Sequence, residues 1–77
     1  MNNQRRKAIE KLAERLDELK SEFEAIMDEE QEAFDNMPES LQYSERGERM
    51  EGIISNMEDV LSNMEDAVDG INSLEDV

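Results

Sequence analysis

Glu51, Glu58 and Glu65 recur at seven-residue steps in the C-terminal half of the chain, with Asp59 and Asp66 directly after two of them. Residues 50–77 hold eight carboxylates and no Lys or Arg. Seven residues make about two helical turns, so such a series lies along one face of a helix. An uncompensated row of carboxylates is most simply a solvated face that keeps the chain soluble, and beyond that it supports two kinds of chemistry. It can meet a basic surface by charge complementarity, or its oxygens can hold a hard divalent cation. The spacing favours the first. The segment DAVDGINSLE, residues 66–75, contains acidic residues and a glycine, but not at EF-hand positions. Asp28, Glu29, Glu32 and Asp35 add negative charge further upstream. Together with the five residues of the repeat they form the candidate partner-binding face.

Other chemistry is restricted by what the chain lacks. It has no His and no Cys. The usual zinc and iron ligands are therefore missing, as are disulfides and the common nucleophile–base pairs. A chain of 77 residues has little room for a catalytic cleft. The expectation is a protein without catalytic residues, metal site or cofactor. One cationic cluster stands apart: Tyr43, Arg46 and Arg49 can be read as a small anion pocket. The alternative is an ion pair with the acidic end of the first helix that closes the end of a helical bundle; Glu45 and Arg49 are in addition a favourable i, i+4 pair.

These residues need elements to position them. From Ile9 the apolar residues Leu12, Leu16, Leu19, Phe23 and Ile26 follow at alternating steps of three and four. That is a heptad seam, and it predicts a first helix over about 3–35. Pro38 stops it. The connection covers 36–43, with a short turn in PESLQ and Ser44 as the cap of the next helix. The second helix runs over about 44–75. Its seam is Met50, Ile53, Met57, Val60, Met64, Ala67, Ile71 and Leu74, with Ile54, Leu61 and Val68 in a second row beside it. The expected fold is all-α, an antiparallel helical hairpin. A stripe this wide suits a helix with two neighbours. It predicts that two hairpins pair into a four-helix bundle through the oligomer seam of Met50, Ile53, Ile54, Met57, Val60, Leu61, Met64, Val68 and Ile71.

Charge is distributed unevenly. Residues 1–20 carry six basic and four acidic groups, while residues 21–77 carry two basic and eighteen acidic ones, within a total of −14. Direct nucleic-acid binding needs a basic footprint and is not expected. No apolar run approaches a membrane span and no apolar stretch follows the N-terminal charges, so a cytoplasmic protein without a signal peptide is expected. In an antiparallel hairpin the basic start, Arg5, Arg6, Lys7 and Lys11, lies beside the acidic end of the second helix.

The segment EEQEAFDNMPESLQYSERGERME, residues 29–51, resembles a group of small acidic proteins from phages and prophages of Gram-positive bacteria. The shared pattern is a basic N-terminal helix (Arg5–Lys7), the Asn36–Gln42 connection, the Ser44–Glu48 helix start, and heptad-like units from Met50. The resemblance implies a phage origin and raises the expectation of an inhibitor of a host protein. It brings no functional residues with it. The expected role is to oligomerise and block a basic host protein, one that handles nucleic acid or takes part in defence, as a nucleic-acid mimic or anti-defence protein. Three alternatives stay open: an oligomeric sponge that sequesters a nucleotide signal, a structural or assembly coiled-coil module, and a chain that orders only on binding.

Like-charge repulsion on this scale opposes compaction and is screened by salt. The melting temperature should therefore rise between low salt and about 0.5 M. A melting temperature that falls steadily over that range would mean that the carboxylates are internally paired.

Overall fold

A computed structural model describes residues 1–74 of the chain. Helix α1 spans Asn3–Asp35, a single short turn α2 spans Glu39–Gln42, and helix α3 spans Glu45–Ser73. No strand occurs among the described residues. The limits agree closely with those expected from the sequence. Leu74 caps α3, and the expected final residue of that helix, 75, lies outside the described residues. So do Glu75 and Asp76, part of the acidic end of the second helix that is expected beside the basic N-terminus.

Each long helix starts on a side-chain cap. The Asn2 side chain accepts from the Arg5 N–H at 2.9 Å, and Ser44 Oγ accepts from the Gly47 N–H at 3.3 Å. Both cap residues have extended backbone, which lets a short polar side chain satisfy an otherwise orphaned donor. The end of α1 is served differently. No basic residue lies in its last turn. Instead the Gln42 amide reaches back and donates to the carbonyls of Phe34 and Met37, both at 3.2 Å. Pro38 has no N–H to extend α1. Its carbonyl accepts from the Leu41 and Gln42 N–H groups at 2.8 and 3.1 Å, which opens α2. The Ser44 hydroxyl also donates to the Leu41 carbonyl. The connection is thus tied to α1 through Gln42 and to α3 through Ser44.

The chain then reverses. Leu12, Leu16 and Leu19 of α1 line a cleft with Ile71 of α3, while Gln31 and Phe34 line another with Ile54. Early α1 meets late α3 and late α1 meets early α3, so the two long helices are antiparallel. The molecule is a rod of 59 × 15 × 12 Å. Its seam runs through Ile9, Ala13, Leu16, Lys20, Phe23 and Met27 on α1, all buried or half-buried. On α3 it runs through Met50, Ile54, Met57, Leu61, Met64, Val68 and Ile71. Both series step alternately by three and four, as two helices in a supercoil require. Lys20 is the charged member at the middle of α1. Its stem lies in the seam while its ammonium turns to Asp17 at 3.7 Å.

This seam corrects the expected one. Ile54 and Val68, placed by sequence in an outer second row, are among the most buried side chains at 6% and 8% exposure. Ile53, Val60 and Leu74, placed in the seam, stay outside it. Leu12, Leu19 and Ile26 of α1 do the same. Three apolar positions per heptad offer two possible stripes, and the sequence period alone does not choose between them. The relative rotation of the two helices chooses the stripe of Ile54, Leu61 and Val68.

Gly47 fixes the junction. It is buried, and a Cβ there would stand 2.1 Å from the Gln42 carbonyl oxygen and 2.6 Å from that of Leu41. Gly52 has nothing within 4 Å of the corresponding point. Two Gly→Ala substitutions on one helix should therefore differ in sign. Gly52→Ala should stabilise by up to about 1 kcal/mol through helix propensity. Gly47→Ala should destabilise by roughly 1–3 kcal/mol, because backbone must move. Chemical denaturation of both variants checks this; equal stabilisation would mean that the connection does not pack on α3 as described.

Candidate functional site

The groove between α1 and α3 has two flanks, and they differ in chemistry. On one flank Glu10, Glu14 and Asp17 lie with Asn72, and further along Gln31 lies with Glu51 and Glu58. Glu24 and Glu65 share the heptad positions of Asp17 and Glu58. Each helix therefore sets a row of carboxylates on this flank at steps of about 10.5 Å: Glu10, Asp17 and Glu24 on α1, and Glu51, Glu58 and Glu65 on α3. The α1 row was not picked out from sequence. The signal for it was the register of Glu10, Asp17 and Glu24 one residue after Ile9, Leu16 and Phe23, which acquires meaning only once the neighbouring helix is placed.

The opposite flank is apolar. Leu12, Leu19, Ile26, Ile53, Val60 and Leu74 are each between 44% and 55% exposed. On each helix they follow one another at steps of seven, or fourteen where Ala67 intervenes between Val60 and Leu74. Arg15 lines the cleft on this side. Arg5 and Arg46 stand one heptad ahead of Leu12 and Ile53, at the heads of the two apolar rows. Arg49 precedes Ile53 by four residues, one turn away along the helix. The arginines thus collect toward the apolar flank, and the carboxylates collect away from it.

The expected acidic face is only partly one surface. Glu51, Glu58 and Glu65 are together on the acidic flank. Asp28 and Asp35 share the heptad position of Glu14 and so border that flank. Glu32, Asp59 and Asp66 occupy the outer backs of the helices, by their heptad positions opposite the seam. Glu29 shares the position of Arg15 and borders the apolar flank instead. The expected anion pocket is open. Tyr43 is 78% exposed, Arg46 and Arg49 are exposed, and none of the three lines the clefts described above. Arg46 heads the outward row of Ile53 rather than the seam of Met50. Glu45 and Arg49 do not close to an ion pair within 4 Å.

Among the described residues no three carboxylates converge closely enough to hold a metal ion. No described helix is long and apolar enough to cross a membrane. Buried polar side-chain atoms without a hydrogen-bond partner are absent among the described residues, so none is aimed at a missing ligand. No protein-family model, curated protein or solved structure matches the chain.

The acidic row should be a strain on the isolated protein. Glu48 and Glu51 are like charges at i, i+3, and Glu65 and Asp69 at i, i+4. Each such pair costs a few tenths of a kcal/mol. Combined replacement of Glu51, Glu58 and Glu65 by Gln should raise stability by about 0.5–1 kcal/mol at low salt. The gain should shrink as salt is added. A gain independent of salt would trace to helix propensity and not to charge.

Proposed function

We propose that this is a non-enzymatic interaction protein of phage type, acting in the cytoplasm of a bacterial host. Two hairpins pair into a four-helix bundle, and the outward acidic flanks occupy and block a basic surface on a host protein that handles nucleic acid or takes part in defence. The observation that carries the reading is the sorting of charge. Both helices direct a heptad row of carboxylates to one flank of their groove, and the arginines lie toward the other.

The density of charge suits this role. A net charge of −14 over 59 Å is one charge per roughly 4 Å, near the ~3.4 Å per phosphate of one DNA strand. A groove evolved to hold a nucleic-acid backbone offers a complementary potential over the same length. Rows of like charge also make a surface that is strained alone and relieved by a cationic partner. A solubilising surface would more commonly interleave Lys with Glu.

The nucleotide sponge is less well supported. A site that sequesters a small anion needs convergent donors in a concave setting, and Tyr43, Arg46 and Arg49 stand open in the hairpin. An assembly module would use the same pairing of hairpins but gives no reason for the rows of carboxylates.

Affinity capture from a Gram-positive bacterial lysate tests the reading, with the wild-type chain beside the Glu51→Gln/Glu58→Gln/Glu65→Gln variant. The expected result is a small set of basic proteins, released by moderate salt and largely lost with the variant. Each captured protein that binds DNA should release it when the acidic chain is added. Capture that ignores the three substitutions, or recovery of a small phosphorylated molecule in place of protein, would overturn it.

A further inference from the structure

The rod-shaped hairpin keeps more open surface than a compact monomer of its mass, and the apolar flank is part of that surface. The chain exposes 5886 Å². A compact monomer of 8.9 kDa exposes about 4,800 Å². The surplus of roughly 1,000 Å² is close to the ~800 Å² that each partner contributes to a standard interface. Inside the hairpin, by contrast, only Ala13, Ile54 and Val68 are buried apolar side chains among the described residues.

We infer that this flank, formed by Leu12, Leu19 and Ile26 of α1 with Ile53, Val60 and Leu74 of α3, is where a second copy of the chain seats face to face. The inference deepens the paired-hairpin part of the reading above and rests on it. Of the oligomer seam expected from the sequence it keeps Ile53 and Val60, while Met50, Ile54, Met57, Leu61, Met64, Val68 and Ile71 are taken up between α1 and α3 of one copy; it leaves both acidic flanks outward.

Three observations favour a second copy over another occupant. The first is that the face is self-complementary. One row reads Arg5, Leu12, Leu19, Ile26, Ala33 and the antiparallel row reads Arg46, Ile53, Val60, Ala67, Leu74. A twofold operation lays such a face on itself, as an isologous contact requires. The second is the period. Rows repeating every seven residues on both helices are the pattern that a further pair of helices packs against at a small crossing angle. The third is the border. Arg15 edges the α1 row, and Arg49, Asn56 and Asn63 edge the α3 row, with Glu22 and Glu29 the acidic residues at the heptad position of Arg15. Closing this face brings few carboxylates together, and the guanidinium groups of one copy are of the sign that Glu22 and Glu29 of the other require. Closing the opposite face would stack carboxylate rows on carboxylate rows. A lipid surface suits the face poorly, because the molecule as a whole is strongly anionic.

The test uses the full chain. Sedimentation equilibrium should give about twice the 8.9 kDa of one copy. Leu19→Lys with Val60→Lys should weaken self-association at least tenfold, whereas Glu58→Lys on the opposite flank should leave the doubled mass. Footprinting of the wild-type chain by hydroxyl radicals keeps the test valid if the Lys variant fails to fold. Leu19, Ile26 and Val60 should become protected as concentration rises, while Tyr43 stays labelled throughout. A folded wild-type chain with the mass of one copy would overturn the inference. So would labelling of the three residues that ignores concentration, or their protection by neutral lipid vesicles instead of by added protein. The two readings can fail separately. A single-copy Leu19→Lys/Val60→Lys hairpin that still captures basic proteins tests the acidic flank alone. A doubled mass in the Glu51→Gln/Glu58→Gln/Glu65→Gln variant tests the pairing alone.

Discussion

Two helices side by side can shield only one stripe of each other, and this constraint governs the molecule. A helix with two apolar positions per heptad is satisfied by one neighbour; α3 has three, and α1 has three except where Lys20 and Glu30 interrupt. The hairpin must leave one row of each helix in water, whichever rotation it adopts. It adopts the rotation that buries Ile54 and Val68 against α1 and leaves Ile53 and Val60 out. Everything else of functional interest follows from that choice. It decides which flank is apolar and, because Glu51, Glu58 and Glu65 lie at fixed angles from the seam, which flank is acidic.

The rotation is held where the chain turns. Gln42 binds two carbonyls at the end of α1, Ser44 caps α3, and Gly47 lets the α2 backbone come within the space of a missing Cβ. The three contacts join the ends of both helices over a few residues. Methionine at Met50, Met57 and Met64 fills the adjoining seam without demanding a single fit. The seam would by itself tolerate some slippage, so orientation is better defined at the connection than along the rod. A change at Gly47 would therefore reach the faces as well as the fold.

Much of this was legible in the sequence, and the reasons are local. Ile9 to Ile26 gave a heptad, Pro38 ended a helix, and Ser44 announced the next one, because each signal depends on its immediate neighbours. The seam of α3 was legible only as a set of candidates. Ile53 and Ile54 are adjacent and equally apolar, and which of them turns inward depends on where α1 sits. For the same reason the sequence groups Asp28, Glu29, Glu32 and Asp35 with the acidic repeat of the second helix and gives no sign of Glu10, Asp17 and Glu24, which join Glu51, Glu58 and Glu65 only across the groove. Helical period is a property of one helix, whereas a face of a hairpin is a property of two.

The placement of charge is consistent with a chain whose apolar flank is covered. A protein of −14 pays an electrostatic cost to bring copies together, and the cost depends on which surfaces approach. With Arg5, Arg15, Arg46 and Arg49 lying toward the apolar flank, that flank carries less like-charge repulsion than the acidic one. The carboxylates of Glu10, Asp17, Glu24, Glu51, Glu58 and Glu65 then lie on the flank away from the contact. Charge sorting of this kind would serve two ends through one arrangement: it would ease the proposed pairing of copies, and it concentrates negative potential on the opposite flank. A uniform spread of the same residues would oppose pairing and weaken the field on the outer flank. The acidic rows and the apolar rows are thus two consequences of one segregation, set by the angle between Glu58 and Val60 on a single helix.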